Sequence, residues 1–193
     1  MFGSTYGHGY LPRYLGPHPA LWGCTIGRHI ATRWEEYAFV AEALEEFTRG
    51  DVLDAGCGAN PDSHLLPLIL GNAKHEVTAL DRDPAVLQMP AHPRVTWVQG
   101  DMCATGFPDA SFDYYVCVSV LEHLPPVTVR AVLAEAYRVL RPGGVALLTT
   151  DWMPAAELAL TLREAGFNAG NEHPPVGEHL NPVIAWARAR RGD

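Results

Sequence analysis

Residue types that could bind a ligand first occur in a glycine-rich turn directly after an apolar run. The turn contains Asp54, Gly56, Cys57, Gly58 and Asn60. Glycine lets the backbone turn sharply and approach a ligand without a Cβ clash. Asparagine tolerates the left-handed conformation that a third glycine would supply. A purely structural tight turn would explain this stretch almost as well.

Acidic residues follow the next apolar run, in the stretch Asp81-Arg82-Asp83-Pro84. An acidic side chain at the end of a second strand is placed to accept hydrogen bonds from ribose hydroxyls. Asp83 before Pro84 is also a good signal for the start of a helix. Asp81 and Asp83 could therefore divide the two roles. Together the two stretches predict a site for a nucleotide-containing cofactor, and a nicotinamide dinucleotide also fits them.

Three later segments narrow the choice of cofactor. Gln99-Gly100-Asp101-Met102 follows the third apolar run, and Cys117-Val118 ends the fourth, with Leu121-Glu122-His123 just beyond. Leu140-Arg141-Pro142-Gly143-Gly144 then leads into the fifth run. In this order, the five segments make the chain similar to the class I S-adenosylmethionine-dependent methyltransferases, in particular the small methyltransferase-domain group. The likeness covers roughly residues 51–151.

The resemblance implies S-adenosylmethionine as cofactor and S-adenosylhomocysteine as product. By the same resemblance, the backbone of Gly56, Cys57 and Gly58 would contact the methionine part, with Asp54 close to the sulfonium. Asp81 would accept hydrogen bonds from the ribose hydroxyls. Arg82 would lie along the adenine, although an apolar residue is commoner at this position in the family.

Further cofactor contacts are implied after the third and fourth strands. Asp101 would accept a hydrogen bond from the adenine amino group, and the backbone amide of Met102 would face the ring. The backbone at Cys117 and Val118 would meet the methionine amino group. These roles come from the resemblance and not from the spacing of the residues.

Methyl transfer from a sulfonium needs mainly binding, orientation and exclusion of water. A general base is needed only when the acceptor is a hydroxyl or a protonated amine. His123 is the best-placed candidate base, and a helix-capping or cofactor-lining role is the alternative. His173 and His179 lie in a stretch too irregular to predict metal ligands, so no metal site is expected.

The acceptor is predicted to be a small molecule. The formal net charge of −8 disfavours direct nucleic-acid binding. The fourth run also lacks the Asn-Pro-Pro-Tyr type of ending found in many enzymes that methylate amino groups or nucleic-acid bases. A protein or RNA acceptor delivered by a partner stays open. Tyr14, Trp22 and Trp152 are candidate substrate-lining residues, and packing onto the sheet edge is the alternative for the N-terminal aromatics.

These residues require a scaffold that brings strand ends together. Apolar runs alternate with helical segments, which predicts βαβ units and a largely parallel sheet with helices on both faces. We expect an α/β, doubly wound, Rossmann-like fold of about seven strands with an antiparallel last strand. One domain over residues 1–193 would comprise an N-terminal arm and helix (1–50), a cofactor-binding core (51–151) and a C-terminal helix and strands (152–193).

The predicted strands cover Val52–Ala55, Val77–Leu80, Val95–Gln99, Phe112–Val118, Val145–Thr150 and Val183–Ala189. The predicted helical segments cover Arg28–Phe47, Ser63–Leu70, Pro84–Gln88, Val127–Val139 and Ala155–Ala165. Each strand is a short apolar run, whereas each longer helix has apolar residues at helical spacing. The carboxyl ends of the parallel strands would bring the acidic and glycine motifs to one edge of the sheet.

Location and alternative functions follow from composition. No run approaches the roughly 20 apolar residues that span a bilayer, and the start of the chain lacks the apolar run of a signal peptide. The four cysteines show no paired spacing, so reduced thiols and a cytoplasmic location are expected. A non-catalytic cofactor-binding subunit and a nicotinamide-dependent oxidoreductase are the competing functions.

Overall fold

A single mixed sheet and the helices that cover it make up the described part of the chain. The computed structural model describes residues 28–45, 48–59, 65–151, 153–169 and 184–192. The strands are β1 (Asp51–Ala55), β2 (Glu76–Asp81), β3 (Val95–Gln99), β4 (Phe112–Val118), β5 (Leu140–Asp151), β6 (Phe167–Ala169) and β7 (Ile184–Arg191). The α-helices are α1 (Arg28–Glu45), α2 (Leu65–Asn72), α3 (Pro126–Val139) and α4 (Ala155–Glu164). Within these described ranges, two short 3-10 helices cover Pro84–Gln88 and Leu121–His123.

The strand order is β3-β2-β1-β4-β5-β7-β6. The strands β1 to β5 run parallel to one another, whereas β7 is antiparallel to both β5 and β6. The chain order reverses between β1 and β4, which makes their carboxyl ends the topological switch point of the sheet. The predicted doubly wound α/β fold with an antiparallel last strand is confirmed.

Alternation along the central strands supplies both faces of the sheet with apolar side chains. Val52 of β1 joins a core cluster with α1 and α2, whereas its neighbour Leu53 joins a second cluster with α3 and α4. In β4, Val116 faces the first cluster and Tyr115 the second. Strands that are buried on both faces read as continuous apolar runs, which is why the sequence pattern located them.

The fifth strand differs most from its prediction. It begins at Leu140 rather than Val145, and the pairing with β4 shifts register between Phe112 and Tyr114. Phe112 pairs with Leu140 and Tyr114 with Val145, so residues 141–144, which precede the predicted strand, form a bulged, irregular stretch within β5. Gly143, with φ +76°, supplies the left-handed conformation that such a bulge needs.

Two other boundaries were wrong or incomplete. Helix α2 ends at Asn72 rather than at Leu70, whereas its predicted start at Ser63 lies outside the described residues. The three-residue β6 was not located in the sequence. A strand of three residues is too short for a period-2 pattern, and it forms because β7 supplies a partner. The last two residues of the predicted helix Arg28–Phe47 lie outside the described residues. The assignment of one domain over residues 1–193 stays a prediction.

Within the described ranges, none of the helices combines the length and the apolar character that crossing a bilayer would require.

A buried carboxylate of α3 holds the segment between β3 and β4. Oε1 of Glu135 accepts hydrogen bonds from the backbone nitrogen of Thr105 at 2.8 Å and from its hydroxyl at 2.6 Å. Arg138, one turn further along α3, donates from Nε to Oε2 of Glu135 at 2.8 Å. These hydrogen bonds, led by those from Arg138 and followed by those from Thr105, lower the pKa of Glu135 from 4.5 to about 2.

We expect Glu135→Gln to lower the free energy of unfolding at pH 7 by about 1–3 kcal/mol, because charge-assisted hydrogen bonds are lost. A depressed pKa in the folded state stabilises the protein only while the carboxyl is ionised. The difference from wild type should therefore persist above pH 4.5 and shrink as the pH falls towards 2. Urea denaturation at pH 7, 4 and 3 measures it.

The exposed Glu164 in α4 provides the matched control, since Glu164→Gln removes the same charge from the surface. An equal loss of stability in both variants, or a loss in Glu135→Gln that does not change with pH, would contradict the role assigned to Glu135.

Candidate functional site

The glycine-rich turn after β1 is bound to the end of β2. The backbone nitrogens of Gly56 and Cys57 donate to the carbonyl oxygen of Leu80 at 2.8 and 3.2 Å. Gly56 and Gly58 have φ of +77° and +78°. Residues with a side chain rarely adopt this region, so the two glycines are required by the turn itself.

The carboxylate of Asp81 receives backbone N–H groups from two directions. Oδ2 accepts from the nitrogen of Gly58 at 2.9 Å, and Oδ1 accepts from the nitrogen of Asp83 at 2.9 Å. Each carboxylate oxygen has a second lone pair, so the partly exposed group can still accept from a ligand with two neighbouring hydroxyls. Asp83 in turn caps the 3-10 helix that starts at Pro84, its Oδ1 accepting from the nitrogen of Ala85 at 2.9 Å. The two acidic residues thus have separate hydrogen-bond partners, and Asp83 has the capping role that the sequence suggested.

The turn after β3 is also hydrogen-bonded to the end of β2. The nitrogen of Gly100 donates to the carbonyl oxygen of Asp81 at 2.9 Å. A Cβ at Gly100 would lie 2.9 Å from Cδ1 of Leu80, so a side chain here would have to displace the buried Leu80 side chain. Asp101 is exposed, and its Oδ1 accepts from the nitrogen of Cys103 at 2.8 Å. Met102 between them is half-buried.

Arg82 is exposed on the outer side of this edge. Its carbonyl oxygen accepts from Nε2 of Gln99 at 3.3 Å, which joins the ends of β2 and β3 through side chain and backbone. The structure therefore brings Asp81, Arg82 and Asp101 to neighbouring strand ends.

Asp54 is a buried acid at the end of β1, with 2 % of its surface exposed. Burial, and then the nearby charge of Asp81, raise the pKa of Asp54 from 3.8 to about 7. No donor in the described part of the chain reaches its Oδ2. A buried carboxyl with an unused oxygen is where a ligand with a positive charge or an N–H group would gain most.

Cys57 is buried next to these acids. Burial, with the charges of Asp54 and Asp81, raises the pKa of the Cys57 thiol. A thiol held in its protonated form is a poor nucleophile, so the position of Cys57 favours a backbone contact over covalent chemistry.

The end of β4 closes the site against the glycine turn. Cys117 and Val118 are buried, and the chain then turns at Ser119, whose φ is +48°. Val120 follows and packs on the turn, since a Cβ at Gly56 would lie 2.8 Å from a Val120 methyl carbon. The turns after β1 and β4 are therefore in direct contact at the switch point.

His123 lies in the 3-10 helix after β4 and is exposed. Its neighbours Leu121, Glu122 and Leu124 line a cavity of about 270 Å³ between this helix, α3 and α4. The remaining lining residues combine apolar and charged side chains: Pro126, Val129, Arg130, Met153, Glu157 and Thr161. The sequence analysis did not predict this cavity, because its walls come from helices far apart in the chain.

Four predicted site residues lie outside the described residues, namely Asn60 and the aromatic residues Tyr14, Trp22 and Trp152. Conversely, the sequence analysis missed Glu36, which is buried in α1. Glu36 shares the helical spacing of the buried Val40 and Leu44. A charged residue on an apolar helix face was the signal that could have identified it.

The strand order, the antiparallel β7 and the glycine turn at the switch point define a Rossmann-like methyltransferase fold. A solved structure with this fold is the 1,6-didemethyltoxoflavin-N1-methyltransferase of Burkholderia thailandensis, with 1,6-didemethyltoxoflavin and S-adenosylhomocysteine bound. The TM-score is 0.62 at 22 % identity, over 82 % of this chain and 77 % of that one.

Residues 53–148 match the family described as a methyltransferase domain. Through this domain the chain belongs to the class I S-adenosylmethionine-dependent methyltransferases. A probable S-adenosylmethionine-dependent methyltransferase of Mycolicibacterium smegmatis is 37 % identical over 102 residues, 52 % of this chain and 37 % of that protein. The ubiquinone biosynthesis O-methyltransferase of Xanthomonas oryzae pv. oryzae is 32 % identical over 151 residues, 71 % of this chain and 60 % of that protein. The chain thus spans less than two thirds of either relative.

The residues at this edge fit the cofactor of the family. Asp81 has acceptor capacity for two neighbouring hydroxyls, and Asp54 has a buried oxygen without a partner among the described residues. A nucleoside that carries a sulfonium provides groups complementary to each of these features.

We expect Gly56→Ala to destabilise the protein more than Gly106→Ala. Both glycines have φ near +77°, but a Cβ at Gly106 meets nothing within 4 Å, whereas at Gly56 it meets Val120. Gly106→Ala should cost about 1–2 kcal/mol for the left-handed conformation alone. The second substitution in Gly56→Ala/Val120→Ala should recover part of the extra loss, as measured by urea denaturation. Equal losses in Gly56→Ala and Gly106→Ala would show that the Val120 contact is unimportant.

We expect Asp54→Asn to stabilise the protein without cofactor at pH 8. The unfolded carboxyl ionises from pH 3.8 upward, whereas the folded one resists ionisation until about pH 7, so stability falls across this window. The gain from Asp54→Asn should therefore grow between pH 4 and pH 7 and then level off, at about 1 kcal/mol or more. Thermal unfolding at pH 5 and pH 8 measures it, and a gain that is larger at pH 5 would contradict the burial of an ionisable group.

Proposed function

We propose that the protein transfers a methyl group from S-adenosylmethionine to a small-molecule acceptor. The observation that carries this proposal is the convergence of three strand ends on Asp81, next to the buried Asp54. Membership of the methyltransferase family supports the chemistry, and the acidic balance of the chain supports an acceptor other than a nucleic acid.

In this proposal, Asp81 accepts hydrogen bonds from the ribose hydroxyls with the lone pairs that Gly58 and Asp83 do not use. Asp101 accepts from the adenine amino group with its other oxygen, and the backbone amide of Met102 faces the ring. Arg82 lies along the adenine. Its exposed position beside Gln99 supports a stacking role for the guanidinium rather than a buried contact.

The methionine end would lie between the turns after β1 and β4. Gly56, Cys57 and Gly58 approach it through their backbone, and the backbone at Cys117 and Val118 contacts its amino group. Asp54 is the nearest acid to the sulfonium. Its raised pKa supports this role, because a cation beside it would favour the ionised form and recover part of the cost of burial.

When bound, S-adenosylmethionine would supply an electrophilic methyl group to the acceptor and leave as S-adenosylhomocysteine. The protein contributes by orienting the two reactants and excluding water from between them. His123 would serve as general base for an acceptor that must lose a proton. Its exposure leaves the imidazole accessible to such an acceptor at the end of β4.

The acceptor would lie against the turns after β4 and β5. The cavity of about 270 Å³ next to the 3-10 helix at Leu121–His123 has apolar walls and three charged side chains, which suits a small amphipathic molecule. Tyr14, Trp22 and Trp152 stay our candidates for further substrate contacts. One structural neighbour holds 1,6-didemethyltoxoflavin, a small heterocycle, which supports an acceptor of this size.

Calorimetric titration with S-adenosylmethionine, S-adenosylhomocysteine and NADH tests the cofactor assignment. We expect the first two to bind and NADH not to bind. Asp81→Asn should weaken both by about tenfold or more, because an amide offers one acceptor oxygen in place of two. Asp109 is an exposed acid in the β3–β4 segment. The matched control Asp109→Asn should therefore bind the cofactor like wild type.

A screen of small phenols, amines and heterocycles with labelled S-adenosylmethionine then tests turnover. Label transfer to a small molecule supports the proposal. If the cofactor binds but label is transferred only after a protein or RNA partner is added, the acceptor would be a protein or RNA and not a small molecule. Tight binding of NADH alone would overturn the proposed function.

A further inference from the structure

A buried polar cluster connects helix α1 to the ends of two strands. Glu36 of α1 has only 1 % of its surface exposed. Its Oε1 accepts hydrogen bonds from the hydroxyl of Ser119, just after β4, and from the hydroxyl of Thr149 in β5 at 2.6 Å. Ser119 and Thr149 are themselves buried. We call these three residues the Glu36 cluster.

The cluster also holds the backbone at Ser119. The nitrogen of Ser119 donates to the carbonyl oxygen of Thr149 at 3.0 Å and to its Oγ1 at 3.2 Å. Ser119 has φ +48°, a conformation that costs a residue with a side chain about 1–2 kcal/mol and favours glycine. The hydroxyl that glycine lacks is the one that binds Glu36, which explains why serine at this position is useful.

The conformation of Ser119 determines where the next residue packs. Val120 contacts the glycine turn so closely that a Cβ at Gly56 would lie 2.8 Å from it. The preceding residues, Cys117 and Val118, are those whose backbone we assign to the methionine amino group. A displacement of Ser119 would therefore move both walls of the proposed methionine pocket.

A glutamate is an unusual residue among the buried apolar side chains of α1. The first core cluster takes its α1 side chains from Tyr37, Phe39, Val40, Ala41, Ala43 and Leu44. Burying a carboxylate among them costs desolvation that its hydrogen bonds only partly offset. An apolar side chain of similar volume would avoid that cost, but it would leave the buried hydroxyls of Ser119 and Thr149 without this acceptor.

We propose that Glu36 is a positioning residue for the cofactor, which holds the Ser119 turn and thereby the methionine pocket. This inference rests on the proposed function, because it takes S-adenosylmethionine as the ligand of that pocket. Glu36 touches neither cofactor nor acceptor in this proposal and acts through Ser119 and Val120. The N-terminal helix would thus contribute to cofactor affinity without lining the site.

Substitutions at Glu36 separate positioning from stability. Glu36→Gln keeps a carbonyl oxygen that can accept from both hydroxyls and should bind S-adenosylmethionine within about threefold of wild type. Glu36→Leu keeps the volume but not the acceptor, and should weaken binding about tenfold or more by calorimetry, whether its Tm falls or rises.

Ser119 provides the second pair of variants, which remains informative if Glu36→Leu fails to fold. Ser119→Ala and Ser119→Gly both lose the hydroxyl, but glycine also relieves the left-handed strain. Ser119→Gly should therefore be the more stable of the two, while both weaken cofactor binding. Ser111→Ala removes a hydrogen-bonded serine hydroxyl just before the first residue of β4 and should bind like wild type.

Hydrogen exchange without ligand gives a readout that does not depend on the cofactor. The amides of residues 56–58 and 118–121 should exchange about tenfold faster in Ser119→Ala than in wild type, and Ser111→Ala should leave them unchanged. Unchanged exchange of these amides would overturn the positioning role. The role would also be overturned if Glu36→Leu and Ser119→Ala bound the cofactor like wild type while Asp81→Asn bound it weakly. Failure of wild type to bind S-adenosylmethionine would overturn the proposed function instead, and the exchange rates would then decide whether the Glu36 cluster holds the turn.

Discussion

The carbonyl and carboxylate oxygens at the end of β2 bind together the three turns on which the site depends. The carbonyl oxygen of Leu80 accepts hydrogen bonds from the backbone amides of Gly56 and Cys57, and the carbonyl oxygen of Asp81 accepts one from the amide of Gly100. The Asp81 carboxylate also accepts hydrogen bonds from the backbone amides of Gly58 and Asp83. Because these groups are backbone amides, the turns after β1, β2 and β3 have little freedom to move separately. A ligand that engages Asp81 therefore meets a preorganised surface rather than three loops that must be ordered on binding.

Two acids so close together create a local excess of negative charge at the switch point. Asp81 is partly exposed and is held by backbone N–H groups, whereas Asp54 is buried and has a pKa of about 7. The same burial that destabilises ionised Asp54 would strengthen its attraction to a cation. Under the proposed function, stability and cofactor binding would thus make opposite demands on this residue, as is common at functional sites.

The other strand ends are held by helices. Glu135 of α3 holds Thr105 in the segment after β3, and Glu36 of α1 holds Ser119 after β4. In both cases a buried carboxylate on a helix fixes a loop through hydroxyl or amide donors. Helices α1 and α3 therefore do more than bury the sheet, since each one holds a segment close to the proposed cofactor site. These two carboxylates lie on opposite faces of the sheet, because α1 and α3 join different core clusters.

The sequence by itself determined the alternation of strands and helices, the doubly wound class and the residues at the strand ends, because local periodicity and turn chemistry carry that information. The resemblance added the cofactor and a role for each motif. The tertiary structure alone decided that the turn at residues 140–144 continues β5, that β6 exists, and that Glu36 meets Ser119 and Thr149. These features depend on partners far away in the chain, which no local pattern specifies. The raised pKa of Asp54 has the same origin, since burial and the charge of Asp81 arise only when the strands pack together.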